Sequence, residues 1–280
     1  MASSSSPIQH KSVSAIQSIR IIIRNKYGEN LVGLLHESLC SRELVILCHG
    51  FLSSKECRSL VSIANGLANE GISSFRFDFS GNGESEGSYL SGTYGREAED
   101  LHAVVLHFTG TKRVIRSIVG HSKGANVVLL YASRYHDVRT LVNISGCLNL
   151  MRGVAERLGK DFMQKIKKDG FMDVTDKTGT VKYRITKEVL MDRVSTDVGK
   201  TCLLIKKDCR VLTVHGSRDE LVPVKDAIEI DKLICNHKLH IIEGANHEYT
   251  WHQVELASAV VDFIRGTGKD MPNQSGSARL

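Results

Sequence analysis

The sequence lacks any apolar run that could cross a bilayer. A membrane-spanning helix needs roughly 18 consecutive apolar residues, whereas the longest apolar stretches here, such as Leu44 to Cys48, are the length of a strand. The composition, 41% hydrophobic and 24% charged, is that of an ordinary globular protein rather than a fibrous or disordered chain. We therefore expect no membrane span and, for 280 residues, one large domain rather than two.

Strong positive charge is also missing. The formal net charge of +6 is small for this length, and the Lys and Arg residues are spread along the chain. Neither a basic stripe nor an aromatic RNA-binding motif is present, although nucleic-acid-binding proteins usually carry one or the other. The sequence therefore predicts a mildly basic surface and no nucleic-acid partner.

Paired cysteine motifs are absent as well. The seven cysteines are an odd number, and no two of them form a Cys-x-x-Cys pair. Several lie in apolar, strand-like runs, where cysteine behaves as a small hydrophobe. Because no secretory signal is visible, we expect free thiols in a reducing compartment and a cytoplasmic location. A catalytic cysteine is disfavoured because a better nucleophile is available, and we expect no metal or other cofactor.

Both ends of the chain are predicted to be disordered tails. Residues 1–17 are Ser-rich and lack acidic residues, as organelle transit peptides do, but with one Lys and no Arg they fit an unstructured cytosolic tail better. Residues 266–280 are rich in Gly, Ser, Asn and Lys. They end in Ala278-Arg279-Leu280, which is similar to a C-terminal peroxisomal address. A peroxisomal location is therefore the alternative to a cytoplasmic one.

The body of the chain alternates between strand-like and helix-like patterns. This rhythm predicts an α/β fold with a mostly parallel sheet covered by helices on both faces, over residues 18–265. The predicted strands cover 19–23, 31–36, 44–48, 72–79, 114–119, 138–144, 210–215 and 239–242. The predicted helices cover 54–70, 97–108, 125–135, 224–234 and 254–264.

This alternation of strand and helix patterns is interrupted between about residues 148 and 206. Residues 151–168 are basic and helical in period, whereas 171–189 alternate like strands around the turn Asp176-Lys177-Thr178-Gly179. Loops at the carboxyl ends of parallel strands usually build the site in such folds. We therefore interpret this stretch as a small lid insertion that shapes the substrate pocket.

A serine nucleophile is predicted at Ser122, in Gly120-His121-Ser122-Lys123-Gly124. The Gly-x-Ser-x-Gly motif alone is short and also fits an ordinary strand–helix turn. Here it follows an apolar strand and opens a helix, the setting that a nucleophile elbow requires. Small residues at positions 120 and 124 would let the backbone make the tight turn that presents the hydroxyl.

A serine hydroxyl needs a base, and that base needs an orienting group. In this architecture the acid follows the nucleophile in the chain and the histidine follows the acid. Asp219 comes soon after the strand at 210–215, and His247 soon after the strand at 239–242. Each is therefore predicted at the carboxyl end of a strand, on the same side of the sheet as Ser122.

Other acids and histidines fit less well. Glu220 could replace Asp219, which we favour because it comes first after the strand, while Asp208 lies at the wrong end of that strand. His121 adjoins Ser122 on a sharp turn and is predicted to point away and pack. The remaining histidines are predicted to be structural or to lack a metal-binding partner at suitable spacing: His215, His237, His240 and His252.

An oxyanion hole needs two N–H donors aimed at the developing negative charge. The residue after the nucleophile supplies one in this architecture, so the amide of Lys123 is one candidate. The loop after His49-Gly50 should supply the other, and the amide of Phe51 is the candidate there. Since the main chain donates, neither side chain has to be catalytic.

Together these motifs resemble the α/β-hydrolase superfamily. The resemblance covers roughly residues 19–265 and is closest to small-lid esterases, namely cinnamoyl and feruloyl esterases and monoacylglycerol-lipase-like enzymes. Lys123 stands where Gln or Met is common, and Ala125 where Gly is frequent, but neither change removes a donor. The motifs that carry the resemblance are His49-Gly50-Phe51, Arg76-Phe77-Asp78-Phe79, Gly81-x-Gly83-x-Ser85, Gly120-x-Ser122-x-Gly124, Asp219 before Val222-Pro223, and Gly244-x-x-His247.

The resemblance implies a carboxylesterase that forms an acyl-enzyme. Ser122 would attack, His247 would act as general base and then acid, and Asp219 would orient His247, whereas Asp78 and Ser85 would shape loops. The expected substrate is a small-molecule ester with a small or medium acyl group or an aromatic one. Two alternatives stay open: acyl transfer or thioester hydrolysis through the same acyl-serine, and a catalytically slow small-molecule receptor. The sequence does not predict an oligomeric state.

Overall fold

An eight-stranded sheet runs through the molecule. The computed structural model describes residues 18–38, 42–89 and 93–266. Residues 1–17, which are the whole predicted N-terminal tail, lie outside these ranges. So do residues 267–280 of the predicted tail at 266–280, with the tripeptide Ala278-Arg279-Leu280, and Cys40. In chain order the strands of the main sheet are β1 (Ser18–Arg24), β2 (Asn30–His36), β3 (Glu43–Cys48), β4 (Ser73–Phe77), β5 (Val114–His121), β6 (Thr140–Ile144), β9 (Arg210–Gly216) and β10 (His237–Ile242).

The sheet is mostly parallel, as predicted. Its spatial order is β1-β2-β4-β3-β5-β6-β9-β10. Strand β2 is antiparallel to both of its neighbours, and every other pairing in this sheet is parallel. The carboxyl ends of β3, β5, β9 and β10 therefore meet at one edge, which is where ligands bind in open parallel sheets.

Helices cover both faces of the sheet. Those of the main domain are α1 (Arg58–Asn69), α2 (Tyr94–Gly110), α3 (Lys123–Tyr135), α7 (Val198–Leu203), α8 (Val224–Leu233) and α9 (Gln253–Arg265). Alternate residues of β3 point to opposite faces. Ile46 packs in a core with residues of α2 and α3, whereas Val45 and Leu47 pack in a core with residues of α1 and α9.

Within the predicted insertion at about 148–206, α7 packs in the core of the main domain, and residues 154–195 form a small subdomain. It contains α4 (Val154–Leu158), α5 (Phe162–Asp169), the hairpin β7 (Phe171–Thr175) and β8 (Val181–Thr186), and α6 (Lys187–Ser195). The hairpin has its own two-stranded sheet and turns at the predicted Asp176–Gly179 segment. A third apolar core joins these elements to one another and to Phe51 and Tyr89 of the main domain.

Several predicted boundaries were wrong for local reasons. The helical stretch 151–168 is two short helices, because Gly159 takes a φ of +92°, which L-residues rarely adopt. The helix predicted from residue 54 begins at Arg58, since Lys55 N–H is held by the Asp78 carboxylate and Cys57 N–H closes a turn onto Ser54. None of the helices within the described residues is long and apolar enough to span a membrane.

Candidate active site

Ser122 lies on a sharp turn between β5 and α3. Its backbone has φ +56° and ψ −118°, a region that non-glycine residues rarely occupy. Its N–H donates to the Ile144 carbonyl at 2.8 Å. A Cβ on Gly120 would lie 2.2 Å from the Gly124 carbonyl oxygen, and one on Gly124 would lie 2.4 Å from the His49 oxygen. The turn therefore depends on glycine at both positions, as the motif predicts.

The structure brings the three predicted side chains into one hydrogen-bonded chain. His247 Nε2 lies 2.9 Å from Ser122 Oγ, and His247 Nδ1 lies 2.8 Å from Asp219 Oδ2. Since a carboxylate only accepts, Nδ1 carries the proton and Nε2 presents a lone pair to the serine hydroxyl. His247 is 2% exposed, and the Asp219 side chain is fully buried. The arrangement can remove a proton from Ser122.

Asp219 is held as a carboxylate despite its burial. Burial alone would raise its pKa, but hydrogen bonds from the two histidines and from the Val222 amide outweigh burial and hold the pKa well below its usual value. Its Oδ1 accepts from the N–H groups of Leu221 at 2.9 Å and Val222 at 2.8 Å. The acid is thus fixed on both oxygens.

His215 is a contact of the acid that sequence reasoning missed. Its Nε2 lies 3.3 Å from Asp219 Oδ2 and donates to the Val222 carbonyl at 2.9 Å. Its side chain is fully buried. In the sequence, the one indication of this contact is that His215 lies four residues before Asp219. Its position inside a buried strand instead favours a purely structural role.

The rival residues occupy other places. Glu220 Oε2 accepts from the backbone N–H of His247 at 3.2 Å and not from its ring. His121 is buried, and its Nε2 lies 3.0 Å from the His247 carbonyl oxygen, so it packs under the histidine loop. His252 precedes α9, and Asp208 precedes β9 at the opposite edge of the sheet. Within the described residues, the His247 ring is therefore hydrogen-bonded to Ser122 and Asp219 and not to these rivals.

Both predicted oxyanion donors belong to segments that adjoin Ser122. A Cβ on Gly50 would lie 3.1 Å from Ser122 Cβ, so the loop that carries Phe51 passes directly against the nucleophile. Lys123 is the first residue of α3, and the first N–H groups of a helix have no partner within it. The loop that carries Phe51 and the start of α3 therefore both adjoin Ser122.

The Lys123 side chain enters a buried ion pair. Its Nζ lies 2.6 Å from Glu97 Oε1, and both side chains are 5% exposed. Burial raises the pKa of Glu97, while the charge and hydrogen bond of Lys123 oppose that effect. Glu97 lies on α2, so the pair joins that helix to the nucleophile turn. No sequence pattern links positions 97 and 123.

Three aromatic rings pack against one another at the loop after Gly50. Phe51 packs edge-on against Tyr183 of β8 at 5.5 Å and against Tyr89 at 6.0 Å, and the two tyrosines are 6.0 Å apart. Arg157 of α4 stacks over the Phe51 ring, 5.5 Å from its centroid. The small subdomain therefore contacts the site through the residue that is predicted to stabilise the oxyanion.

Comparisons with known proteins place the chain in a family and identify its fold. The family described as serine aminopeptidase, S33 matches residues 40–199, more than half of the chain. The uncharacterized protein YDL057W of Saccharomyces cerevisiae is 26% identical over 237 residues, which cover 75% of this chain and 70% of that protein. Mitochondrial palmitoyl-protein thioesterase ABHD10 of Rattus norvegicus is 23% identical over 207 residues, 71% of this chain and 66% of its own length.

Among solved structures, Est1E from Butyrivibrio proteoclasticus with bound ferulic acid superposes with a TM-score of 0.73. It is 24% identical, and the superposition covers 88% of this chain and 98% of Est1E. At this identity the likeness establishes the fold. The mostly parallel sheet, its helices and this match together identify the α/β-hydrolase fold that the sequence predicts.

Proposed function

Since the chain belongs to the serine aminopeptidase S33 family and has the α/β-hydrolase fold, we propose that it is a serine hydrolase that cleaves carboxylic esters. The observation that carries this proposal is the hydrogen-bonded series Ser122–His247–Asp219, with distances of 2.9 Å and 2.8 Å. Its serine lies on a turn that depends on glycine. A hydroxyl on such a turn, with a base and an orienting acid, is suited to acyl transfer.

In the proposed reaction, Ser122 Oγ attacks the ester carbonyl while His247 Nε2 takes its proton. Asp219 keeps the proton on Nδ1 and stabilises the imidazolium that forms. The amides of Phe51 and Lys123 donate to the oxyanion of the tetrahedral intermediate. His247 then protonates the leaving alcohol, and water hydrolyses the acyl-enzyme by the same steps in reverse. No step requires a cofactor.

The substrate is proposed to be a small-molecule ester whose acyl group is small, medium-sized or aromatic. The rings of Phe51, Tyr89 and Tyr183 lie together beside the oxyanion loop, and aromatic side chains favour packing against an apolar or aromatic acyl group. We propose that the small subdomain, which occupies residues 154–195 of the predicted insertion at about 148–206, is a lid that sets this specificity.

The test is hydrolysis of para-nitrophenyl esters by the wild type and by Ser122→Ala. Loss of a triad nucleophile lowers kcat by about 10³- to 10⁶-fold, so we expect turnover only in the wild type. A fluorophosphonate probe should label the wild type and not the variant. Labelling that survives Ser122→Ala would show that another residue is the nucleophile, and a wild type without turnover would contradict the esterase assignment.

A second candidate is thioester hydrolysis, because the rat relative is a palmitoyl-protein thioesterase. The same acyl-serine chemistry would serve both reactions. The two are separated by offering one acyl chain as a para-nitrophenyl ester and as a coenzyme A thioester. A kcat/KM at least tenfold higher for the thioester, across several chain lengths, would favour the thioesterase assignment.

A further inference from the structure

Three side chains beside Ser122 are arranged as ligands for a divalent cation. One donor atom from each of His121, His247 and Glu248 lies within 4.8 Å of the other two. Both histidines are buried and Glu248 is exposed, so the cluster lies at the protein surface on the Glu248 side. Two histidines and one glutamate are a ligand set that zinc sites use.

The hydrogen bonds of the two neutral histidines leave one nitrogen of each ring without a proton, and on His247 that nitrogen accepts from Ser122 Oγ. His247 donates Nδ1–H to Asp219, so Nε2 carries its lone pair. His121 Nε2 lies 3.0 Å from the His247 carbonyl oxygen, which can only accept, so His121 Nδ1 carries the other lone pair. Metal-ligating histidines in proteins usually donate one N–H to a carboxylate or backbone carbonyl and bind the metal with the second nitrogen.

The charges and the mobility of the ligands also suit a divalent ion. Glu248 and the neighbouring Asp219 would together balance two positive charges. A tetrahedral zinc ion with bonds of about 2.1 Å places its donors about 3.4 Å apart. The donor atoms must therefore draw together, and the exposed Glu248 side chain can swing inward without disturbing the core.

We propose that His121, His247 and Glu248 form a reversible inhibitory site for Zn²⁺. The ion takes the lone pair of His247 Nε2, which otherwise accepts the hydrogen bond from Ser122 at 2.9 Å. While the ion is bound, His247 cannot remove the serine proton. The inhibition rests on the proposed function, whereas the binding of the ion does not.

Binding is tested by titrating zinc chloride into Ser122→Ala by calorimetry in a non-chelating buffer. This variant has no serine hydroxyl to compete for His247, so we expect one ion per chain, bound more tightly than by the wild type. In the Ser122→Ala background, the further substitution Glu248→Gln should weaken zinc binding at least tenfold. The further substitution His121→Asn should also weaken it. The matched control is Glu243→Gln, which removes an exposed carboxylate five residues earlier and should change nothing.

Zinc affinity that is unchanged by both Glu248→Gln and His121→Asn would overturn the site. Zinc binding that is lost in Cys57→Ser but kept in Glu248→Gln and His121→Asn would also overturn it. Cys57 is a free thiol that interacts with Glu248 and would then be the ligand. Since Glu248 is exposed, its replacement is not expected to impair folding, so a negative result with that variant is decisive.

Inhibition is tested with ester hydrolysis by the wild type and by Glu248→Gln, each relative to its own activity without metal. Zinc should inhibit the wild type, EDTA should restore activity, and the half-inhibiting concentration should rise at least tenfold in the variant. If zinc binds as expected to a chain that hydrolyses no ester, the proposed function fails and the site stands. If an active enzyme neither binds zinc nor is inhibited, the site fails alone.

Discussion

At the residue scale, the acid of the site is held by two histidines. His247 lies 2.8 Å from Asp219 Oδ2, and His215 Nε2 lies 3.3 Å from the same oxygen while donating to Val222. His215 contacts neither Ser122 nor the space where a substrate would react. We therefore assign it as a positioning residue, which keeps Asp219 charged and aimed at His247.

Replacing His215 should lower kcat through Asp219. His215→Leu removes the donor, and we expect kcat for a para-nitrophenyl ester to fall about tenfold with little change in KM, as when outer hydrogen-bond partners of a reactive group are lost. His215→Gln keeps an N–H donor and should recover most of the activity. The measurement is steady-state kinetics on both variants after thermal unfolding has shown that they fold. Equal losses in the two variants would indicate a packing role instead.

The site residues differ in how far the sequence predicts them. Ser122, Asp219 and His247 each follow a recognisable strand, so the order of elements alone places them at one sheet edge. His215 lies within a strand, where its contact with Asp219 depends on how the chain turns afterwards. The partner of Lys123 is likewise unpredictable, because Glu97 comes from a helix whose position only tertiary packing decides.

At the element scale, the Asp192 carboxylate ties the small subdomain to the main domain. Asp192 of α6 accepts from the backbone N–H of Tyr94 at 2.7 Å and of Gly95 at 3.4 Å, the first two residues of α2. It therefore caps a helix of the main domain from within the small subdomain. Burial raises the pKa of Asp192, although these two amides and nearby cations oppose that effect.

Asp192→Ala should both destabilise the protein and loosen the small subdomain. Loss of a capping carboxylate lowers the free energy of unfolding by about 1 kcal/mol. The small subdomain also loses a link to α2. We expect a lower midpoint of chemical unfolding and faster hydrogen exchange over residues 151–195. Glu188→Ala is the matched control, since Glu188 is an exposed acid on the same helix. If hydrogen exchange over residues 151–195 is the same in both variants, the Asp192 cap does not hold the small subdomain in place.

The elements of the main domain were easier to predict than those of the small subdomain. Strands such as β3 are continuous apolar runs, because helices bury them on both faces. The small subdomain packs around a core of its own, so its apolar pattern is sparse and its helices are short. The strand–turn–strand pattern predicts the hairpin, but the break at Gly159 depends on a backbone conformation that periodicity does not reveal.

At the scale of the whole molecule, a buried neutral histidine links stability to pH. His49 is 2% exposed, donates Nδ1–H to the Gly50 carbonyl at 2.8 Å and accepts at Nε2 from the Phe79 N–H at 3.1 Å. A proton on Nε2 would break the second bond. Burial, with the charges of Lys123 and Lys55, lowers the pKa of His49 to about 4, although Asp78 and the Gly50 carbonyl act in the opposite direction.

The sign of this linkage follows from the lowered pKa. The unfolded chain binds the proton near the ordinary histidine value of 6.5, whereas the folded protein does so only near pH 4. The stability from neutral His49 is therefore complete above pH 6.5 and is lost as the pH falls toward 4. At about 1.4 kcal/mol for each unit of pKa, it amounts to about 3 kcal/mol. Burial raises the pKa of Glu97 and Asp100, which works against this trend.

Because those carboxyls oppose it, the effect of His49 has to be measured as a difference between two proteins. His49→Gln has no titrating ring, while its amide can still donate and accept. We expect the stability advantage of the wild type over His49→Gln to shrink by about 3 kcal/mol between pH 7 and pH 4. The measurement is urea unfolding of both proteins at intervals across that range. A constant difference would mean that His49 titrates alike in the folded and unfolded chains, and that its buried hydrogen bonds do not depend on the neutral ring.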